Sequence, residues 1–162
     1  MNTRHALVVT TMLVTACAGS PPAAFERPSP ETNITELYDR VHVSGLEDRR
    51  FTHEEYWEAL DPFLGGSVKS AVVGVSSEGR EIRQLSYGSG PMSVLLWSQM
   101  HGDESTATMA LADIVRFFHE LPDNPVARRI ATGATIHMVP MLNPDGAERF
   151  QRRNAQGIDV NR

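Results

Sequence analysis

The sequence predicts an α/β domain, and three observations carry that prediction. Ser93-Val-Leu-Leu-Trp-Ser98 and Ala134–Val139 are apolar runs of strand length. Between them Ala107, Leu111, Ile114, Phe118 and Leu121 recur every three or four residues, which is one apolar face of a helix ending near Pro122. A strand, a helix and a strand in that order predict a parallel pair joined by a crossover helix.

The remaining elements follow in chain order. Thr52 and Glu55 have the spacing of a capping box, in which each side chain satisfies the other's free backbone N–H. Tyr56, Leu60 and Phe63 continue that helix, and Gly65-Gly66 ends it. Ala71–Ser76 and Ile82–Tyr87 read as strands joined through Ser77-Glu78-Gly79-Arg80, a hairpin signal. Gly88-Ser89-Gly90-Pro91 is a turn, and Ser93–Ser98 suits a strand buried on both faces. The second parallel strand is closed by Pro140.

Ahead of this domain, residues 1–16 read as an export leader. Arg4 and His5 precede an apolar stretch, Ala6 to Val14. Val14-Thr15-Ala16-Cys17 resembles the lipobox of bacterial lipoproteins, in which the cysteine is lipidated after cleavage. A plain signal peptide with an incidental cysteine is the alternative. Residues 17–33, rich in Pro, Ser and Ala, read as a flexible tether, and residues 34–162 as the domain. Cys17 is the single cysteine, so the mature domain is expected to hold no disulfide. The expected location is the cell envelope, after export across the inner membrane, with membrane contact only through the lipid. The net charge of −5 over 162 residues argues against nucleic acid as a partner. No apolar run reaches the ~18–20 residues of a membrane-spanning helix.

The chemistry concentrates where the first parallel strand ends. His101-Gly102-Asp103-Glu104 supplies an imidazole and a carboxylate three residues apart, and zinc accepts both. By itself that spacing fits a capped helix start better than a metal site, with Glu104 facing the positive end of the helix dipole. Parallel strands end on the same rim, so Asn143-Pro144-Asp145-Gly146 is expected beside the His101 segment, where open α/β sheets place ligands. Its four residues all favour turns, and its expected role is to shape that loop. His137, His119 and His53 lack the spacing of a further ligand. Trp57 and Trp97 read as core residues, and the methionines as packing.

The succession His101-Gly-Asp-Glu104, Asn143-Pro-Asp-Gly146 and Arg152-Arg-Asn-Ala-Gln-Gly-Ile-Asp-Val-Asn-Arg162 resembles the zinc carboxypeptidase family M14. The resemblance runs from about Gly74 to Arg162. It implies a three-layer αβα fold with a mixed, mostly parallel sheet. It implies one Zn2+ ion held in part by His101 and Glu104. It implies that Arg152 polarises the scissile carbonyl, with Arg153 as the rival for that role. It implies that Asn161 and Arg162 grip the terminal carboxylate of a peptide substrate. An arginine fork matches a carboxylate bidentately, which an exopeptidase needs to recognise a free C-terminus. Asp103 stands where several family members carry arginine or asparagine. The resemblance places the third zinc ligand and the general base beyond residue 162, so the chain is expected to be an inactive N-terminal fragment with an incomplete sheet, and a monomer. Two other expectations stay open: a murein-peptide amidase or N-acyl amino-acid deacylase of the same superfamily, and a non-catalytic envelope binding lipoprotein.

Overall fold

The computed structural model describes residues 34–162. The expected leader, Cys17 and the expected tether lie outside the described residues. The domain opens with α1 (Ile34–Val41) and α2 (His53–Leu60), followed by a short 3-10 turn at Asp61–Phe63. Strands β1 (Val68–Val75), β2 (Glu81–Gly88) and β3 (Met92–Trp97) come next, then α3 (Thr106–Glu120), α4 (Pro125–Gly133), β4 (Ala134–Val139) and α5 (Pro144–Glu148).

The sheet has the order β1-β2-β4-β3. β1 and β2 form the expected antiparallel hairpin, with a register shift between Val72 and Gly74. β2 is antiparallel to β4, while β3 and β4 are parallel, Leu96 opposite Met138 and Trp97 opposite Val139. The crossover from β3 to β4 therefore carries α3, as its periodicity predicts, together with α4.

Helix α2 starts on the predicted capping box: Glu55 N–H donates to Thr52 Oγ1 at 3.2 Å, and Thr52 N–H donates to Glu55 Oε2 at 2.7 Å. Helix α3 begins at Thr106, two residues after Glu104, because residues 101–104 close a turn of their own through Glu104 N–H to the His101 carbonyl at 3.1 Å. Helix α4 was not anticipated, although its start is written in the sequence. Asn124 accepts from Val126 N–H at 2.9 Å, and Pro125 fills the first helical position, where a missing N–H costs nothing. Gly90 passes so near the α4–β4 junction that a Cβ there would lie 2.1 Å from the Gly133 carbonyl carbon, so this turn has no room for a side chain.

One core joins the helices to one face of the sheet. Tyr56, Leu60, Leu85, Tyr87, Leu111, Val115, Phe118 and Met138 are all buried in it. The Tyr87 and Phe118 rings stack at 3.7 Å between β2 and α3, and the Tyr87 hydroxyl donates to the Ala127 carbonyl at 3.0 Å, fixing α4. Burying side chains of this size contributes roughly 1.5–3 kcal/mol each.

The opposite face of the sheet differs from expectation. Leu95 is 55% exposed and Trp97 is 53% exposed, so β3 is not buried on both faces and Trp97 is not core. The strand ends the sheet on one side, and among the described residues the packed helices share the other face. Trp57, by contrast, is buried as predicted, under the Arg83 guanidinium at 4.2 Å. His53 is only half-buried; its Nε2 lies 2.9 Å from the Glu81 carbonyl oxygen and ties α2 to β2.

Candidate metal centre and carboxylate-binding rim

The two parallel strands deliver their loops side by side. Ser98 N–H donates to the Val139 carbonyl at 3.0 Å, Leu142 N–H to Ser98 at 3.1 Å, and Asn143 N–H to Gln99 at 3.0 Å, so the parallel ladder runs on past the strand ends. Thr108, fully buried on α3, donates from Oγ1 to the Pro140 carbonyl at 2.9 Å. Gln99 adopts φ 46° and donates from Nε2 to the Gly102 carbonyl at 2.9 Å, which turns the chain towards His101.

His101 is the centre of the arrangement and is 5% exposed. Its Nε2 lies 3.0 Å from Asp159 Oδ1 and 3.0 Å from Asn161 Oδ1. Both neighbours are acceptors, so Nε2 carries the proton. In the neutral ring Nδ1 then keeps its lone pair, and this nitrogen lies 3.1 Å from Glu104 Oε2. Arg152 completes the cluster. Its Nη1 is 3.1 Å from His101 Nδ1 and 3.1 Å from Glu104 Oε1, and its Nε donates to Asp159 Oδ2 at 2.9 Å. An open cleft of about 500 Å³, lined by Trp97, Gln99 and Met100, adjoins Glu104.

These contacts set the charges. The Glu104 carboxylate beside His101 raises the imidazole's pKa, burial opposes it, Asn161 and Asp159 add to the rise, and Arg152 acts against it. Glu104 is held below the usual carboxylate range by His101 first and by Arg152 as well. Burial alone would raise Asp159, but the hydrogen bonds from Arg152 and His101 outweigh it and hold the group low.

The donor set fits a metal ion as two legs of a site. In the tautomer that leaves Nδ1 unprotonated, Nδ1 and the Glu104 carboxylate, 3.1 Å apart, are both electron-rich and suited to a cation, and Arg152 Nη1 lies 3.1 Å from each. Two ligands of tetrahedral zinc stand about 3.3 Å apart, given Zn–N and Zn–O bonds near 2 Å. Among the described residues no group of three or more His, Cys, Asp or Glu side chains is arranged to hold a metal.

Of the residues singled out from the sequence, the structure brings His101, Glu104, Arg152 and Asn161 together. Arg162 stays apart: its side chain is 78% exposed, with its Nε 4.0 Å from Asp159. Arg153 turns away and donates to the Gly157 carbonyl at 2.7 Å. Asp159 was not singled out, yet it touches both His101 and Arg152. The signal was available, because a metal-ligating histidine generally donates its second ring N–H to a carboxylate or a carbonyl.

Asn143-Pro144-Asp145-Gly146 shapes its loop as expected, and does more. Asn143 caps α5 by accepting from Gly146 N–H at 3.0 Å. Asp145, 2% exposed, accepts from Ser76 Oγ at 2.7 Å, from Arg80 Nη1 at 2.9 Å and from Glu78 N–H at 3.3 Å, clamping the β1–β2 hairpin to α5.

This α/β fold is that of the carboxypeptidases, and the chain belongs to the zinc carboxypeptidase family, whose model matches residues 54–162. Human carboxypeptidase Z is 28% identical over 153 residues, covering 76% of this chain and 24% of that protein. A zinc carboxypeptidase of Saccharothrix mutabilis subsp. capreolus is 30% identical over 116 residues, covering 59% of this chain and 27% of its own length. Among solved structures, a metallo-carboxypeptidase from Pseudomonas aeruginosa superposes with a TM-score of 0.58 at 27% identity, covering 69% of this chain and 31% of that one. The chain thus spans about a quarter to a third of the length of these relatives.

Proposed function

We propose that this chain supplies part of the active site of a metallocarboxypeptidase that removes residues from the free C-terminus of peptides. The observation that carries this is the convergence of His101, Glu104 and Arg152 within 3.1 Å of one another on the rim where the parallel strands end.

In this reading His101 and Glu104 would hold the zinc, the imidazole through a ring nitrogen and Glu104 through its carboxylate. Zinc supplies a Lewis acid and lowers the pKa of bound water to about 7. Asp159 keeps the His101 proton on Nε2, so that Nδ1 is free to ligate. Arg152 donates N–H groups to the scissile carbonyl oxygen as negative charge develops there; losing one such donor commonly costs ~10²–10³ in rate. Asn161 and Arg162 receive the terminal carboxylate. The exposed side chain of Arg162 suits that task, since a guanidinium fork matches a carboxylate bidentately. The leader and Cys17 support export and lipid anchoring in the envelope.

The test is hydrolysis by the protein expressed from its gene. Release of the terminal residue from a peptide with a free C-terminus, but not from its C-terminal amide, is expected. That activity and metal binding should vanish together in His101→Ala. Equal cleavage of the two peptides would sink the carboxypeptidase reading, and cleavage of a murein tripeptide alone would move the chain to the amidases.

A further inference from the structure

We propose that Arg152 guards the metal-ligand pair: its guanidinium competes with a divalent cation for His101 and Glu104 and has to swing aside before the ion can seat. The inference rests on the reading of those two residues as ligands, and goes beyond the carbonyl-polarising role assigned to Arg152 above.

Three observations support it. A single atom, Arg152 Nη1, lies 3.1 Å from His101 Nδ1 and 3.1 Å from Glu104 Oε1, so one N–H-bearing nitrogen bridges both would-be ligands. An arginine is always protonated, and its positive charge opposes a dication at short range whatever the pH. Arg152 also has somewhere to go. Its side chain is 38% exposed, and its Nε is tethered to Asp159 Oδ2 at 2.9 Å. Rotation about that tether takes Nη1 off the ligands while keeping the guanidinium at the rim. The same contact presets the imidazole, because donation to Nδ1 requires the tautomer in which that nitrogen bears the lone pair.

Arg153 provides the control. It adjoins Arg152 and carries the same charge, but it bonds the Gly157 carbonyl and touches neither ligand. Zinc affinity is measured for the 162-residue chain and its variants by competition with a fluorescent chelator. Arg152→Gln is expected to bind Zn2+ at least tenfold more tightly than the wild type, and Arg153→Gln within twofold of it. Arg152→Lys, which keeps the charge but not the fork, is expected to fall between. A second readout needs no affinity: adding Zn2+ to the wild type is expected to shift the Arg152 side-chain ¹⁵N resonances and to accelerate their exchange with water.

If Arg152→Gln binds zinc no more tightly than the wild type while His101→Ala weakens binding, the guarding role is overturned and the ligand assignment survives. If His101→Ala leaves affinity unchanged, both fail. Equal tightening by Arg152→Gln and Arg153→Gln overturns the role too, since net charge then suffices. So does absence of binding in both the wild type and Arg152→Gln.

Discussion

Gly102 and Gly146 meet backbone to backbone: a Cβ added to Gly102 would stand 1.9 Å from the Gly146 carbonyl carbon and 2.2 Å from Ala147 N. This contact holds the His101–Glu104 turn against α5. An alanine cannot be absorbed by rotating a side chain, because every obstructing atom is backbone. Gly102→Ala is therefore expected to lose about 3 kcal/mol or more of stability. Urea denaturation should show a lower midpoint with an unchanged slope. An unaltered midpoint would mean that the two loops do not touch.

Asp159 serves His101 and Arg152 with its two oxygens, so its replacement should be felt first in metal affinity. Asp159→Ala is expected to weaken zinc binding by about 10–100-fold. Asp159→Asn should lose less, because its amide oxygen still accepts from His101 Nε2. The measurement is zinc titration beside a circular dichroism spectrum that stays native. An Asp159→Ala protein binding zinc like the wild type would show that His101 is oriented by Asn161 alone.

Asp145 makes stability depend on acid. Burial pushes its carboxyl pKa up, but the Ser76 hydroxyl, the Arg80 guanidinium and the Glu78 N–H outweigh that and hold it below its ordinary value. A carboxyl lowered in the folded state stabilises fully above its unfolded pKa of about 3.9, and that contribution disappears as pH falls through the folded value. Asp145→Asn should therefore be less stable than the wild type at pH 7, by about 2–4 kcal/mol. The difference between the two should shrink below about pH 4. Denaturation across pH 2–8 reads this out, and a constant difference would rule out the ion pair with Arg80 as its source.

Thr108 lies wholly inside the domain, 2.9 Å from Ser98 Oγ and 2.9 Å from the Pro140 carbonyl. Thr108→Val keeps the shape and leaves both partners unsatisfied, at an expected cost of about 1–3 kcal/mol. Thr108→Ser, which restores the hydroxyl, should recover part of the loss. Equal melting temperatures for the valine and serine variants would remove the hydrogen bonds from the account.

Much of the fold was legible because its signals are local. The capping box of α2, the apolar stripe of α3, the β1–β2 hairpin and the parallel β3–β4 pair each stem from spacings of a few residues. The start of α4 is equally local, but it is written in the capping residues Asn124 and Pro125 rather than in a hydrophobic period. The burial of β3 was misjudged for a different reason: Leu95 and Trp97 are apolar, but whether an apolar strand is covered depends on its place in the sheet, and β3 ends this one.

By itself the sequence determined the family and the order of its motifs, together with the rim to which His101, Glu104 and the Asn143–Gly146 segment belong. Chain direction decides that rim, since parallel strands must finish on the same edge. Only the tertiary structure decided that Arg152 bridges His101 and Glu104 while Arg153 faces away, that one carboxylate at Asp159 serves two partners, and that Asp145 clamps a hairpin. Those contacts span 51 positions between His101 and Arg152, 58 between His101 and Asp159, and 69 between Ser76 and Asp145. No spacing rule reaches so far along a chain; such pairs are set by how loops pack once the core has closed.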